Sequence, residues 1–264
     1  MVFSMDFVVV ALLLAAVASA AEGRPPEQLS PNYYEKTCPG VQDAVRAVMA
    51  RRLDMAPAVL RLFFHDCFVN GCDASVLLDR TDSMESEKDA DPANKSLAGD
   101  AAEEGLPSPV AGLGDLLRAF EERGLDARDL TALSGAHTVG KAHSCDNYRD
   151  RVYGDEGANI DPSFAALRRQ SCEQGSGEAP FDEETPTVFD NRYFQDLLAR
   201  RGLLTSDQEL YTHGGPVSDL VELYATNRKA FFKDFAKAMV KMGNMRPPKR
   251  MPVEVRLSCR RVNN

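Results

Sequence analysis

The chain has 264 residues, 44% of them hydrophobic and 27% charged, enough for one large globular domain or two small ones. Its net charge of −9 argues against nucleic acid as the main partner, and no apolar run is long enough to span a bilayer comfortably. The acid-rich stretch 79–104 and the base-rich tail from Arg246 on both read as solvated surface.

In chain order, Val8–Ala18 is an unbroken apolar run followed by "ASA" at 18–20, the pattern of a secretory signal with a mature start near Ala21. That implies a secreted, soluble protein. The six cysteines then sit in an oxidising compartment and are expected in disulfides. Residues 39–54 form a predicted helix with Val41, Ala44, Val45, Val48 and Met49 on one face. Residues 56–68 form a second, more apolar helix, with Pro57 in its first turn. Residues 79–109 read as acidic loop. A helix over 110–124 turns Leu113, Leu116, Leu117 and Phe120 inward and ends before Gly124. A short helix over 126–137 starts from the N-cap Asp126. Residues 154–189 read as loop, and helices follow over 190–202, 216–227 and 228–244. Strand patterns are weak and no internal repeat is present.

The stretch "RLFFHDCFVNGCDAS" (61–75) concentrates the chemistry. Arg61 and His65 are four apart and share one helical face. A neutral imidazole can take a proton and return it near pH 7, and a fixed guanidinium can stabilise charge on a leaving oxygen. The bland alternative is a core histidine beside a snorkelling arginine. Asp66, Asp73 and Ser75, with Gly71 between them, offer hard oxygens suited to Ca²⁺, although the spacing is not that of an EF-hand. Cys67 and Cys72 suit either a short-loop disulfide, favoured in a secreted chain, or zinc ligation with His65.

"RLFFHDCFVNGCDASVLLD" resembles the distal-helix signature of the secreted plant haem peroxidases, class III. "LTALSGAHTVGKAHSC" (130–145) resembles their proximal-haem signature. "QLSPNYYEKTCPG" (28–40), "FDEETPTVFDNRYF" (181–194), "GLLTSDQEL" (202–210) and the C-terminal "VRLSCRRVN" resemble further family segments in the same order. The resemblance implies an all-α haem-peroxidase fold of two helical lobes around one haem b, and peroxide-dependent one-electron oxidation of small phenolic donors by a monomer. It implies His65 as distal base, Arg61 as polarising cation and Phe64 as the aromatic packed beside them. It makes His137 the axial iron ligand and Asp207 the acceptor of that histidine's other N–H. Read by itself, Asp207 is a surface acid.

Two calcium sites follow from the same resemblance. The distal one takes Asp66, Asp73, Ser75 and the carbonyls of Val69 and Gly71, with Glu87 holding a water. The proximal one takes Thr138, Asp182, Thr185, Asp190 and the carbonyl of Val188. Pro107 matches the family proline at the aromatic-donor channel. Cys67–Cys72 and Cys145–Cys172 match family disulfides. His143 and His213 match no role and read as exposed.

The chain departs from the family after "SLAG" (96–99), where two helices, the loop after them and two cysteines are missing from the distal lobe. Cys38 and Cys259 lose their partners and are expected to be free, mispaired or joined to each other. The sequon at Asn94 also competes with a distal-pocket role for that asparagine. A non-enzymatic, calcium-binding, disulfide-bearing remnant that has lost haem is therefore the second functional reading.

Overall fold

The computed structural model describes residues 30, 32–82, 86, 105–154, 159–174, 177–248 and 254–263. The expected signal segment, Glu87 and Asn94 lie outside the described residues. The chain divides into two compact units: one comprises the chain to Leu106 and from Met242 onward, the other Pro107–Lys241.

In the first unit, α1 (Val41–Arg51) and α2 (Met55–Asn70) realise the two predicted helices. The first has no fully buried residue, and Ala44 on its apolar face is exposed. Helix α2 buries His65, Cys67 and Phe68. It stops at Gly71, whose φ of +79° suits a residue without Cβ. A Cβ there would meet the Arg246 carbonyl carbon at 2.4 Å. The Cys72 amide donates to the Met245 carbonyl at 3.1 Å. Arg256 donates to the Ala74 carbonyl at 2.6 Å, and Arg260 grips Asp79 through two bonds of 2.8 and 3.0 Å. The C-terminal segment thus fastens the 71–79 turn. Cys67 and Cys72 form a disulfide, which removes them as zinc ligands. Cys38 and Cys259 are both free, the first of the three expected outcomes, and are not joined to each other.

The second unit is helical with one two-stranded ribbon, β1 (Lys141–Ala142) against β2 (Ala179–Pro180). Helix α3 (Leu113–Glu121) buries Leu116 and Phe120, and Gly124 follows it at φ +72°. Helix α4 (Ala127–Ser134) starts from Asp126, whose side chain accepts from the Arg128 and Asp129 amides. It passes into a 3₁₀ turn, Gly135–Thr138, that carries His137.

The predicted loop 154–189 needs correction. It holds a 13-residue helix, α6 (Pro162–Gln174), preceded by the short α5 (Arg149–Tyr153). Asp161 accepts from the Phe164 amide at 2.8 Å, and Pro162 opens the helix. Cys145–Cys172 staples α6 to the segment before α5, closing a separation of 27 residues. A loop of that size contributes about 3.5 kcal/mol on the chain-entropy account. The ribbon and these helices share a core of Tyr148, Val152, Phe164, Ala179, Leu203 and Leu204.

Helix α7 (Arg192–Leu198) and α9 (Pro216–Thr226) realise predicted helices, and α8 (Thr205–Thr212) between them was not predicted. Helix α9 packs on α7, α4 and α8. Helix α10 (Arg228–Gly243) follows directly. Among the described residues, no helix is long and apolar enough to cross a membrane.

Candidate active site and its oxygen clusters

His137 lies on the 3₁₀ turn after α4, and its ring is held from three sides. Nδ1 lies 2.8 Å from Asp207 Oδ1. The face stacks on Phe181, with centroids 4.1 Å apart and planes 6° from parallel. The edge meets Tyr193 at 6.1 Å and 83°. Asp207, at 2% exposure, corrects the surface-acid reading. Its Oδ1 also accepts from the Tyr193 hydroxyl at 3.0 Å, and its Oδ2 from the Leu204 amide at 3.0 Å. Burial, then the Asp207 charge, pushes the Tyr193 phenol well above its ordinary range, so it stays a donor. A carboxylate is an acceptor only, so the Nδ1 facing it carries a proton, and in the neutral imidazole Nε2 is then the nitrogen with the lone pair.

A second layer fixes Asp207. Arg151, 8% exposed, donates to the Gly202 carbonyl at 2.7 Å and to Gln208 Oε1 at 3.3 Å. Gln208 accepts from the Gly202 amide at 3.2 Å and donates to the Leu197 carbonyl at 3.0 Å. These bonds hold the Gly202–Leu204 turn from which α8 presents Asp207. Burial lowers Arg151 to about 10, so it remains charged at neutral pH. Pro107 is half-buried, two residues before Pro109, whose carbonyl accepts from the Ser206 amide at 3.0 Å.

The next residue after the histidine opens an oxygen cluster. Thr138 and Asp182 are both fully buried. The Thr138 hydroxyl lies 3.1 Å from Asp190 Oδ1 and 3.5 Å from Asp182 Oδ2. The Thr185 hydroxyl donates to Asp182 Oδ2 at 2.7 Å. The Val188 amide donates to the Thr185 carbonyl at 2.9 Å, closing the turn whose Val188 carbonyl was expected to complete the set. All four side chains offer hard oxygens, the donor chemistry of a calcium ion.

In the first unit, Phe64 stacks on Phe68 at 4.7 Å and meets the His65 ring edge-on at 6.3 Å. His65 is 9% exposed, whereas Arg61, one turn earlier, is exposed. In the 69–75 turn, Asp73 Oδ1 accepts from the Ser75 amide at 2.8 Å. Asp66 is half-buried, with Oδ2 3.9 Å from Cys67 Sγ. Val69 and Gly71 flank these residues at the end of α2. His143 and His213 are exposed as expected, each beside a glutamate: Glu178 at 3.4 Å and Glu209 at 3.0 Å.

One buried acid next to the oxygen cluster was not foreseen. Asp196, 4% exposed, is pushed up to about 6 by burial and by the nearby Asp182 charge, against a partial pull from Arg192. The folded state therefore binds a proton here more readily than the unfolded chain. On this group's account, stability of the metal-free chain rises as pH falls from 7 through 6 and stops rising below the unfolded value near 4. Asp196→Asn is expected to stabilise the chain at pH 7 and to flatten that rise, as thermal melts at pH 7, 6, 5 and 4 would record.

The sequence profile of the peroxidase family matches residues 41–103 and 96–227. Peroxidase 4 of Vitis vinifera is 37% identical over 324 aligned positions, covering 98% of this chain and 99% of that relative. Peroxidase 70 of Zea mays is 37% identical over 325 positions, covering 99% and 98%. The lignin-forming anionic peroxidase of Nicotiana sylvestris is 37% identical over 299 positions, covering 89% and 92%. The chain belongs to the peroxidase family of plants. It is an oxidoreductase acting on hydrogen peroxide with a reducing donor, on the all-α fold expected of it, and the family in general carries haem and calcium. The donors fit these groups: an imidazole Nε2 suits iron, and the Thr138–Asp182–Thr185–Asp190 oxygens suit a hard divalent cation.

Phe181, Tyr193, Arg151 and Gln208 escaped the sequence reading of the site. Phe181 and Tyr193 both lie inside the quoted 181–194 segment, so position in that segment was the available signal.

Proposed function

We propose that the chain oxidises small phenolic donors one electron at a time at the expense of hydrogen peroxide, with haem b on His137 Nε2. The observation that carries this reading is the buried Asp207 held by three donors behind His137. When bound, haem supplies the iron that takes oxidising equivalents from peroxide and passes them to donors. Asp207 accepts the Nδ1 proton's bond and so makes His137 a stronger electron donor. His65 takes the proton from one oxygen of hydrogen peroxide and gives it to the other, which departs as water. Arg61 stabilises the negative charge developing on that departing oxygen. Phe64 packs against the His65 ring and limits its orientation. Pro107 lines the approach of the phenolic donor.

Calcium is assigned to Thr138, Asp182, Thr185, Asp190 and the Val188 carbonyl, and to Asp66, Asp73, Ser75 and the Val69 and Gly71 carbonyls, with Glu87 through water. Residues 1–20 are assigned as a signal peptide. Residues 21–264 are assigned as one secreted, monomeric haem peroxidase domain lacking an internal segment near 99–105. Two observations support the missing segment. The relatives align over more positions than this chain has residues, and the family profile matches in two pieces that meet at 96–103.

The second reading, a secreted calcium-binding remnant without haem, is favoured by α1, an amphipathic helix with no fully buried residue. The visible spectrum of the purified chain in calcium, before and after peroxide, separates the two. A Soret band that shifts on adding peroxide, and that is lost in His137→Ala, is the expected result. A helical protein with no haem band would overturn the enzymatic reading.

A further inference from the structure

Tyr193 occupies a place in the site that the proposed chemistry leaves unused. It lies on α7, where its ring edge meets the His137 ring at 6.1 Å and Phe194 packs against it edge-on at 5.1 Å. Its hydroxyl donates to Asp207 Oδ1 at 3.0 Å, and His137 Nδ1 lies 2.8 Å from that same oxygen. The other oxygen, Oδ2, accepts from the Leu204 amide at 3.0 Å. The three donors therefore divide the carboxylate unevenly, with two of them sharing Oδ1.

A buried phenol needs an acceptor, so a tyrosine at this position must bond to something. That it bonds to the oxygen facing the histidine has a second effect. Two donors on one oxygen draw on the same negative charge, so each weakens the bond of the other. Asp207 and Tyr193 are each 2% exposed. In a site so closed to solvent, charge drawn off by one donor is felt strongly by the other. The phenol also keeps its proton, because burial and the Asp207 charge both hold it above its ordinary range.

We propose that Tyr193 is a positioning residue that moderates the bond between Asp207 and His137. Its hydroxyl takes part of the charge on Oδ1, so the Nδ1 proton is held less tightly than the carboxylate alone would hold it. The competition for Oδ1 stands on the geometry just given, whereas its consequence at iron rests on the reading of His137 as the axial ligand. With the tyrosine in place, His137 donates less electron density through Nε2 than it would with Oδ1 to itself. Loss of the Tyr193 hydroxyl and loss of the Asp207 charge should therefore act in opposite directions, although both remove a bond from the same buried group.

Tyr193→Phe tests this, because it keeps the ring and its contacts with His137 and Phe194 and removes only the hydroxyl. In the haem-loaded variant the iron–histidine stretch of the ferrous form, read by resonance Raman, should move to higher frequency, and the midpoint potential should fall. A tyrosine that served packing alone would move neither. An unmoved stretch and potential, or shifts in the opposite directions, would overturn the proposal. A second measurement needs no iron: urea unfolding of the haem-free chain in a double-mutant cycle of Tyr193→Phe and His137→Ala. When one donor is removed, the other tightens on Oδ1 and offsets part of the loss; when both are removed, nothing offsets it. The double variant should lose more than the sum of the single losses, an excess of roughly two- to tenfold in the unfolding equilibrium constant. Losses that simply add, or a double variant that loses less than the sum, would overturn the proposal. An excess loss in a chain that shows no Soret band would sink the haem reading and leave the competition for Oδ1 standing.

Discussion

Asp207→Asn is expected to cut peroxidase turnover about ten- to a hundredfold, the usual cost of losing a partner behind a metal-bound histidine. The carboxylate accepts from His137 Nδ1, Tyr193 Oη and the Leu204 amide. An asparagine keeps one acceptor oxygen and turns an NH₂ toward donors, so at least one of the three bonds is lost. If the histidine's bond weakens, its electron donation falls, the ferric state is less favoured, and the midpoint potential of the haem-loaded chain rises. Redox titration reads that shift independently of turnover. Asp207→Ala should do more: it strands the buried Tyr193 hydroxyl and Leu204 amide, at about 1–3 kcal/mol for each group left unsatisfied. Wild-type turnover together with an unmoved potential in Asp207→Asn would remove Asp207 from the role assigned to it.

The same residue shows what could and could not be read from the sequence. "TSDQEL" holds one apolar residue, Leu210, and a single apolar position gives no hydrophobic period from which to infer an inward face. The burial of Asp207 and Gln208 comes from partners distant in sequence, His137 for one and Arg151 and Leu197 for the other. The missed α6 has a similar cause. Its inward side includes Arg168, 3% exposed, which pairs with Glu183 and lies over the Phe164 ring at 5.1 Å. A cation on the buried face breaks the apolar pattern that would otherwise reveal a helix. Its start was legible all the same, because Asp161-Pro162 is an N-cap followed by an N1 proline. Where apolar periodicity and end signals agree, as in α2, α3 and α9, the expected helices stand with shifted ends.

The order of residues around His137 was legible in a different sense. "SGAH" alone suits a helix end packed through small residues, and Gly135 does pack that way. A motif residue can serve packing while its neighbour serves chemistry. The ring orientation of His137 could not be read locally, because Phe181 and Asp207, which fix it, come from separate later segments.

That division makes Gly135→Ala an informative substitution. A Cβ at this position would sit 2.5 Å from Phe231 Cε2 and 2.8 Å from Phe194 Cζ. Both rings are fully buried, in edge-to-face contact at 4.9 Å, and Phe194 also packs on Tyr224 at 5.1 Å. Neither can swing into solvent, so the added methyl must displace the 3₁₀ turn or separate the rings. Overpacking of this kind costs about 1–3 kcal/mol, a fall in melting temperature of roughly 2–12 °C for a chain of this size. The turn carries His137 two residues on and Thr138 three residues on, so its displacement should lengthen the bond to Asp207 and disturb the oxygen cluster together. Calcium should then recover less of the lost stability in Gly135→Ala than in a variant destabilised equally at a core position outside the site, such as Leu116→Ala on α3. Melting curves with calcium and with chelator, for both variants, make the comparison. Equal recovery would mean that the rings yield instead of the turn, and that the histidine's position does not depend on the glycine before it.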